Sequence, residues 1–138
     1  MLDKLRGSFL GLMTKGVVMN YAQHLGFEHL SSGGGAAELR AAVKPEHLNL
    51  HGTAHGGFLY SLADEAFALA SNSHEASAIA LNVHMDYFSV VREGDVLTAT
   101  ATEEHLGRRV ATYRVEIKRD AEVVALFTGT VYRMDKPA

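Results

Sequence analysis

HLNLHGTAHGGFLYSLADEAFALA, residues His47 to Ala70, changes character at its midpoint. The first half holds three histidines and three glycines; the second is an apolar run interrupted by Asp64 and Glu65. From Gly56 to about Ser71 the apolar spacing is helical. Wound at about 100° per residue, Phe58, Leu59, Leu62, Ala63, Ala66, Phe67, Leu69 and Ala70 cover one half of the cylinder. Tyr60, Ser61, Asp64, Ala68 and Ser71 cover the other. Asp64 is central in this polar stripe, and Glu65 falls nearer Phe58 and Leu69.

Outward from this helix the period changes. Four β segments follow Ser73: Ala78 to Phe88, Asp95 to His105, Arg109 to Arg119 and Val123 to Arg133. The connections VVREGD, HLGRR and RDAE are short, which predicts antiparallel neighbours, because a parallel crossover needs a dozen or more residues. VLTATATE suits a strand packed on both sides, and Gly129 is a candidate bulge. Upstream, SSGGGAAE (Ser31 to Glu38) reads as a turn before a first strand, Ala37 to Val43, which Pro45 ends. Leu48 to Gly57 reads as a loop. The expected architecture is α+β: one long, curved antiparallel sheet with the apolar helix on its concave face.

The 138 residues suit one domain. A composition 47% hydrophobic and 21% charged is that of a globular chain. A formal net charge of -3 gives no global basic surface for nucleic acid. No cysteine is present, which excludes disulfides, thiolate metal sites and a cysteine nucleophile, and fits a reducing, cytoplasmic setting. No apolar run reaches the roughly 20 residues that span a bilayer. The opening MLDKLRGSFLGLMTKGVVMN is a little like a signal peptide, but Thr14 and Lys15 interrupt it. It reads as a terminal helix, with residues 1–26 an N-terminal helical segment and 36–134 the core of a single domain.

His47, His51 and His55 stand at i, i+4 and i+8, yet Pro45 and the glycines argue against a helix there. No second ligand cluster or HExxH arrangement accompanies them, so no metal is expected. The glycines match neither phosphate-loop pattern. No Gly-x-Ser-x-Gly elbow supports a serine triad, and Ser61, Ser71 and Ser73 lack a convincing context. What His55-Gly56-Gly57 supplies is a bare entry to a helix. The first N–H groups of a helix lack internal partners and favour negative charge, and glycine admits a close approach. An oxyanion forming there would be stabilised; equally, the glycines could simply turn the chain. Asp64 begins about two turns, about 11 Å, further on. That is too far to act on a carbonyl held at the same helix N-terminus, so joint action would need two copies of the protein. Asp64 could instead be a solvated member of the polar stripe, and Glu65 is the second candidate. Arg108 and Arg109 occupy a turn; they either face water or grip phosphates.

Taken together, His47 to Asn72, MDYF (Met85 to Phe88), GDVLTATA (Gly94 to Ala101), RRVATYRVEI and VALFTGTVYR resemble the hotdog-fold acyl-CoA thioesterases, in particular the phenylacetate-pathway PaaI subfamily. The resemblance implies a hotdog fold in which a curved antiparallel sheet wraps a central helix. It implies a homodimer with composite active sites, commonly a tetramer formed as a dimer of dimers, and hydrolysis of an acyl-CoA substrate without metal or organic cofactor. An aryl-acetyl or medium acyl group is the expected cargo. Asp64 matches the catalytic carboxylate, acting as general base or nucleophile. Gly56 matches the glycine whose N–H polarises the carbonyl, and Asn49 the loop asparagine that orients thioester or water. His55 and Gly57 shape the loop, and Ser71 shares a face with Asp64. Glu65 stands where many relatives have a small or hydroxyl residue, which bears on acyl preference. Arg108 and Arg109 would hold the coenzyme A phosphates. A non-catalytic acyl-CoA sensor and a hotdog dehydratase are the competing readings: Asp64 counts against the first, and the place of His55 before the helix against the second.

Overall fold

The computed structural model describes residues 19–135. The elements are α1 (Tyr21–His24), β1 (Glu28–Gly33), β2 (Ala36–Ala42), a 3-10 turn (Pro45–His47), α2 (Gly56–Ser71), β3 (Ala78–Tyr87), β4 (Val96–Leu106), β5 (Val110–Arg119) and β6 (Glu122–Arg133). The strands form one six-stranded sheet in the order β1-β2-β4-β5-β6-β3. All neighbours are antiparallel. Helix α2 touches every strand. This is the α+β hotdog architecture expected from the sequence. Of the N-terminal helical segment, Tyr21–His24 is helical; the rest of that expectation, up to residue 18, falls outside the described residues.

Alternation drives the sheet onto the helix. Leu39, Leu97, Ala99, Tyr113, Val115, Ile117 and Phe127 point inward and are buried, against Leu62, Ala63, Ala66, Phe67 and Ala70 from α2. Burying a side chain such as Leu62 or Phe67 contributes roughly 1.5–3 kcal/mol. Alanines on both sides let helix and sheet approach closely. β4 does not pack equally on its two faces, contrary to the expectation from VLTATATE. Its alanines and Leu97 are buried, whereas Thr98 and Thr100 are half-buried on the outer face.

Three further expectations are corrected. First, strand β1 has no counterpart among the segments expected from the sequence. Its six residues are all exposed, so it carries no hydrophobic alternation, and SSGGGAAE is the turn of a β1–β2 hairpin. Second, VVREGD does not join neighbouring strands. β3 pairs with β6 at the far edge, and β4 lies between β2 and β5. Three strand spacings are about 14 Å, and residues 88–95 can reach that far. Val91 turns into the core on the way, and its carbonyl accepts from Ala54 N–H, bracing the loop before α2. Third, Gly129 is not a bulge. It pairs in register with Val83 and Tyr113, and the shifts fall near Leu81 and Val124 instead.

Candidate active site

The loop entering α2 is a closed turn built by Asn49. The Asn49 N–H donates to Thr53 O at 2.7 Å. The Asn49 carboxamide oxygen accepts from the N–H groups of His51 (2.9 Å) and Thr53 (3.2 Å), and its Nδ2 donates to Thr53 Oγ1 at 3.1 Å. This is an Asx-type local bond pattern, for which asparagine is suited. Leu48 and Ala54 close the turn with a β-bridge.

The three histidines of this stretch do not converge. His47 is buried, stacks on Phe58 with centroids 4.0 Å apart, and accepts from Lys44 N–H at Nδ1. Burial holds its pKa below the ordinary value. His51 is exposed. His55 is the N-cap of α2, and its Nδ1 accepts from Gly57 N–H at 2.8 Å. The ring proton of neutral His55 therefore sits on Nε2. Among the described residues no cluster of three or more His, Asp or Glu side chains could hold a metal ion.

This cap decides which helix N–H is open. Gly57 N–H goes to the His55 ring, and Phe58 and Leu59 N–H go to His55 O. Among the described residues no group accepts from Gly56 N–H. The Gly56 carbonyl accepts from Tyr87 Oη–H at 3.0 Å. A side chain on Gly56 would stand 3.4 Å from the Tyr87 ring.

Asp64 lies two turns along α2 and is half-buried, with no hydrogen bond or ion pair among the described residues. Burial raises its pKa above the usual aspartate value. It lines a cleft of about 240 Å³ between α2 and the edge strand β3, with Phe67, Ser71, Ile79 and Ala80. Ser71 is buried here rather than solvated, its hydroxyl donating to Ala68 O at 3.3 Å. So the structure brings Asp64 and Ser71 to one cleft. Asn49, His55, Gly56 and Gly57 gather at the other end of the same helix.

Glu65 is elsewhere. It lines a separate cleft with Phe27, Leu39 and Leu69, beside α1 and β1. Burial, then the charge of Asp64, raises its pKa. Arg108 and Arg109 are also remote from Gly56. Arg109 O accepts from Arg133 N–H, and Arg133 pairs with Ala78, whose backbone is held by Asn72 at the helix C-terminus. Arg109 is bound to Asp135 at 3.2 Å and lies over the Tyr132 ring.

Two tyrosines near the site are not singled out by the sequence reading. Tyr87 comes from the MDYF stretch, and its partner lies 31 residues away, so spacing gives no signal. Tyr60 lies between Gly56 and Asp64 on one helical stripe, at i+4 from the first and i-4 from the second. That i+4 series is legible. Burial and then Asp64 raise the Tyr60 pKa.

Residues 51–126 match the thioesterase superfamily model. The acyl-coenzyme A thioesterase PaaI of Escherichia coli is 40% identical over 82% of this chain and 81% of its own length. The solved structure of E. coli PaaI superposes with a TM-score of 0.81, covering 85% of this chain and 86% of that one at 38% identity. A variant of the phenylacetic acid degradation protein PaaI of Thermus thermophilus is 51% identical, with a TM-score of 0.81 over 83% and 98% of the two chains. A protein of Streptococcus mutans, solved bound to acetyl-CoA, is 27% identical with a TM-score of 0.77 over 89% and 95%. A six-stranded hotdog sheet around α2 and this degree of likeness place the chain in the thioesterase superfamily, as a hotdog-fold thioester hydrolase.

Proposed function

We propose that the protein hydrolyses an acyl-CoA thioester, with an aryl-acetyl or medium acyl group, to the free acid and coenzyme A. The observation that carries this reading is the pairing on one helix of two groups that are unsatisfied among the described residues: a half-buried Asp64 carboxylate and an open Gly56 N–H. Likeness to an acyl-coenzyme A thioesterase and to a chain solved with acetyl-CoA supports the substrate class.

In this mechanism the thioester carbonyl oxygen accepts from Gly56 N–H at the positive end of α2. Asp64 takes a proton from water as the water oxygen attacks the carbonyl carbon. The C–S bond then breaks and the coenzyme A thiolate leaves, taking up a proton. A raised carboxylate pKa makes Asp64 a stronger proton acceptor than a solvated aspartate. Two turns of helix separate the two groups within one chain, so one catalytic unit takes Gly56 from one protomer and Asp64 from its partner. Ile79 and Leu81, 53% and 56% exposed on the edge strand beside Asp64, favour pairing of two sheets through β3. A dimer of such dimers and a cytoplasmic role in recovering coenzyme A complete the reading. Arg108 and Arg109 remain the candidates for coenzyme A phosphates.

The test is thiol release from phenylacetyl-, hydroxyphenylacetyl-, benzoyl- and straight-chain acyl-CoAs by the wild type and Asp64→Asn. Release by the wild type that collapses in the variant supports the reading. Tight acyl-CoA binding with no release by the wild type overturns it in favour of a sensor.

A further inference from the structure

The catalytic reading gives the Gly56 N–H a task but leaves open what holds it in position. The first turn of α2 begins with two glycines, the residues least able to hold their own backbone. A helix start of this kind frays unless something fastens it. Two side chains fasten this one from opposite sides. The His55 ring accepts from Gly57 N–H at 2.8 Å. The Tyr87 phenol donates to Gly56 O at 3.0 Å. Gly56 O and Gly57 N–H belong to the same peptide unit, so that unit is held at both poles.

We infer that Tyr87 is a positioning residue for the thioesterase reaction: by gripping the Gly56–Gly57 peptide from the end of β3, it limits rotation about Gly56 and so helps the preceding peptide, whose carbonyl accepts from Phe58 and Leu59 N–H, keep its Gly56 N–H aimed at the substrate carbonyl. The inference rests on the acyl-CoA hydrolysis reading and names a further residue for it. Three observations support it. Tyr87 is half exposed, so its hydroxyl has water as an alternative partner yet bonds to this carbonyl. A side-chain carbon on Gly56 would stand in ordinary contact with its ring, 3.4 Å away, so the ring lies directly beside the helix start. Burial, and then the neighbouring Tyr60, raise its pKa above the ordinary tyrosine value, so the phenol stays a donor at neutral and mildly alkaline pH. The bond also ties helix and edge strand at one point: the strand end that carries Tyr87 pairs with Ala125 on β6.

The grip is made through a carbonyl, so Tyr87 need not touch the substrate. Loss of an oxyanion donor itself costs about 10²–10³ in kcat. Loss of a group that only aims the donor should cost less. For Tyr87→Phe we expect kcat to fall about tenfold with KM within about twofold, the pattern of an interaction realised in the transition state. The assay uses the full chain and whichever acyl-CoA the wild type turns over fastest. The amide resonances of Gly56 and Gly57 are followed in the same protein by NMR. In Tyr87→Phe they should shift, and the Gly57 amide should exchange faster with solvent. Tyr87→Leu, which also removes the ring, should match or exceed the phenylalanine variant. Both variants are measured below their melting temperatures, so that folded protein is compared with folded protein.

A kcat within about twofold of wild type in Tyr87→Phe overturns the inference. So does a fall in kcat with unmoved Gly56 and Gly57 amides, or a loss confined to KM. Failure of the wild type to release any thiol would instead overturn the thioesterase reading, and the unchanged or shifted amides would still report on the grip.

Discussion

The Phe67 ring occupies the space above Gly129, so closely that a side-chain carbon there would come within 2.7 Å of Cζ and 2.8 Å of Cε1. Gly129 is therefore the point where α2 sits down on β6, and the missing side chain is what allows it. Gly129→Ala should destabilise the fold by about 1–3 kcal/mol, because Phe67 is buried against Tyr113 and Phe127 and cannot swing clear. Urea unfolding would show it as a lower midpoint with an unchanged slope.

Asp64→Asn should lower kcat at least about a hundredfold, the scale of a lost general base. The same substitution should not reduce stability at neutral pH. The folded-state pKa of Asp64 is raised by burial, so the folded chain binds this proton more readily than the unfolded chain. That contribution is fully present below the unfolded aspartate pKa and is lost as pH rises through the higher folded value. At pH 7 the wild type holds a half-buried charge, without an ion-pair partner among the described residues, that asparagine removes. Thermal melts at pH 7 should place the variant at or above the wild type, and the gap should close on acidification below the folded pKa. A lower melting temperature at pH 7 would contradict this assignment.

The acidic limb of the kcat/KM profile should lie above the ordinary aspartate range, because the limb reports the base in the free enzyme. Glu65→Gln should leave kcat within a few fold of wild type, since Glu65 faces a different cleft. A hundredfold loss in Glu65→Gln would exchange the roles of the two carboxylates.

His55→Ala removes the acceptor that caps Gly57 N–H. Its cost should be about 1 kcal/mol, as for other N-cap deletions. Asparagine or aspartate at position 55 should recover most of it, because each supplies an oxygen in the same place. Denaturant midpoints of the three variants would rank them.

At the other end of α2, Glu103 accepts from His74 Nε2 at 2.6 Å and from the buried Tyr113 hydroxyl at 2.7 Å. Burial pushes its pKa up, but these two bonds and the charges of His74 and Arg133 outweigh it and leave the pKa lowered. The stabilisation is present above the unfolded glutamate pKa and is lost as pH falls through the lower folded value. Glu103→Ala should cost about 1–3 kcal/mol, because the Tyr113 hydroxyl is left buried without its partner. It should also flatten the acid limb of the stability curve, measured by melts between neutral and acidic pH.

Residues with periodicity are legible in sequence, and residues whose partners are distant are not. Phe58 to Ala70 announce α2 because their spacing is helical, and the inward residues of β2, β4, β5 and β6 announce strands by alternation. Glu28 to Gly33 lack any apolar face, so β1 leaves no trace. The pairing of β3 with β6 is hidden because connection length reports only that a hairpin is possible; Val91, turning into the core, carries the chain onward instead. Gly129 is legible as a special position but not as this one, since a bulge and a close approach both ask for glycine. In the site, Asp64 and Gly56 stand out by their place on α2. The capture of Asn49 by its own turn, the removal of Glu65 to another cleft and the grip of Tyr87 depend on contacts across the fold.

The β3 edge has a consequence for handling the protein. Ala78 to Tyr87 offers ten residues of strand with one open side, no proline, and no charged residue before Asp86 apart from the titratable His84. Such an edge is a template for indiscriminate strand addition, and only the irregularity near Leu81 blunts it. A substitution that separates partners without protecting this edge should therefore yield precipitate rather than clean monomer, and solubility would fall before activity could be assayed. Leu81→Lys, which puts a charge on the edge itself, is the variant suited to producing a monomer that stays in solution.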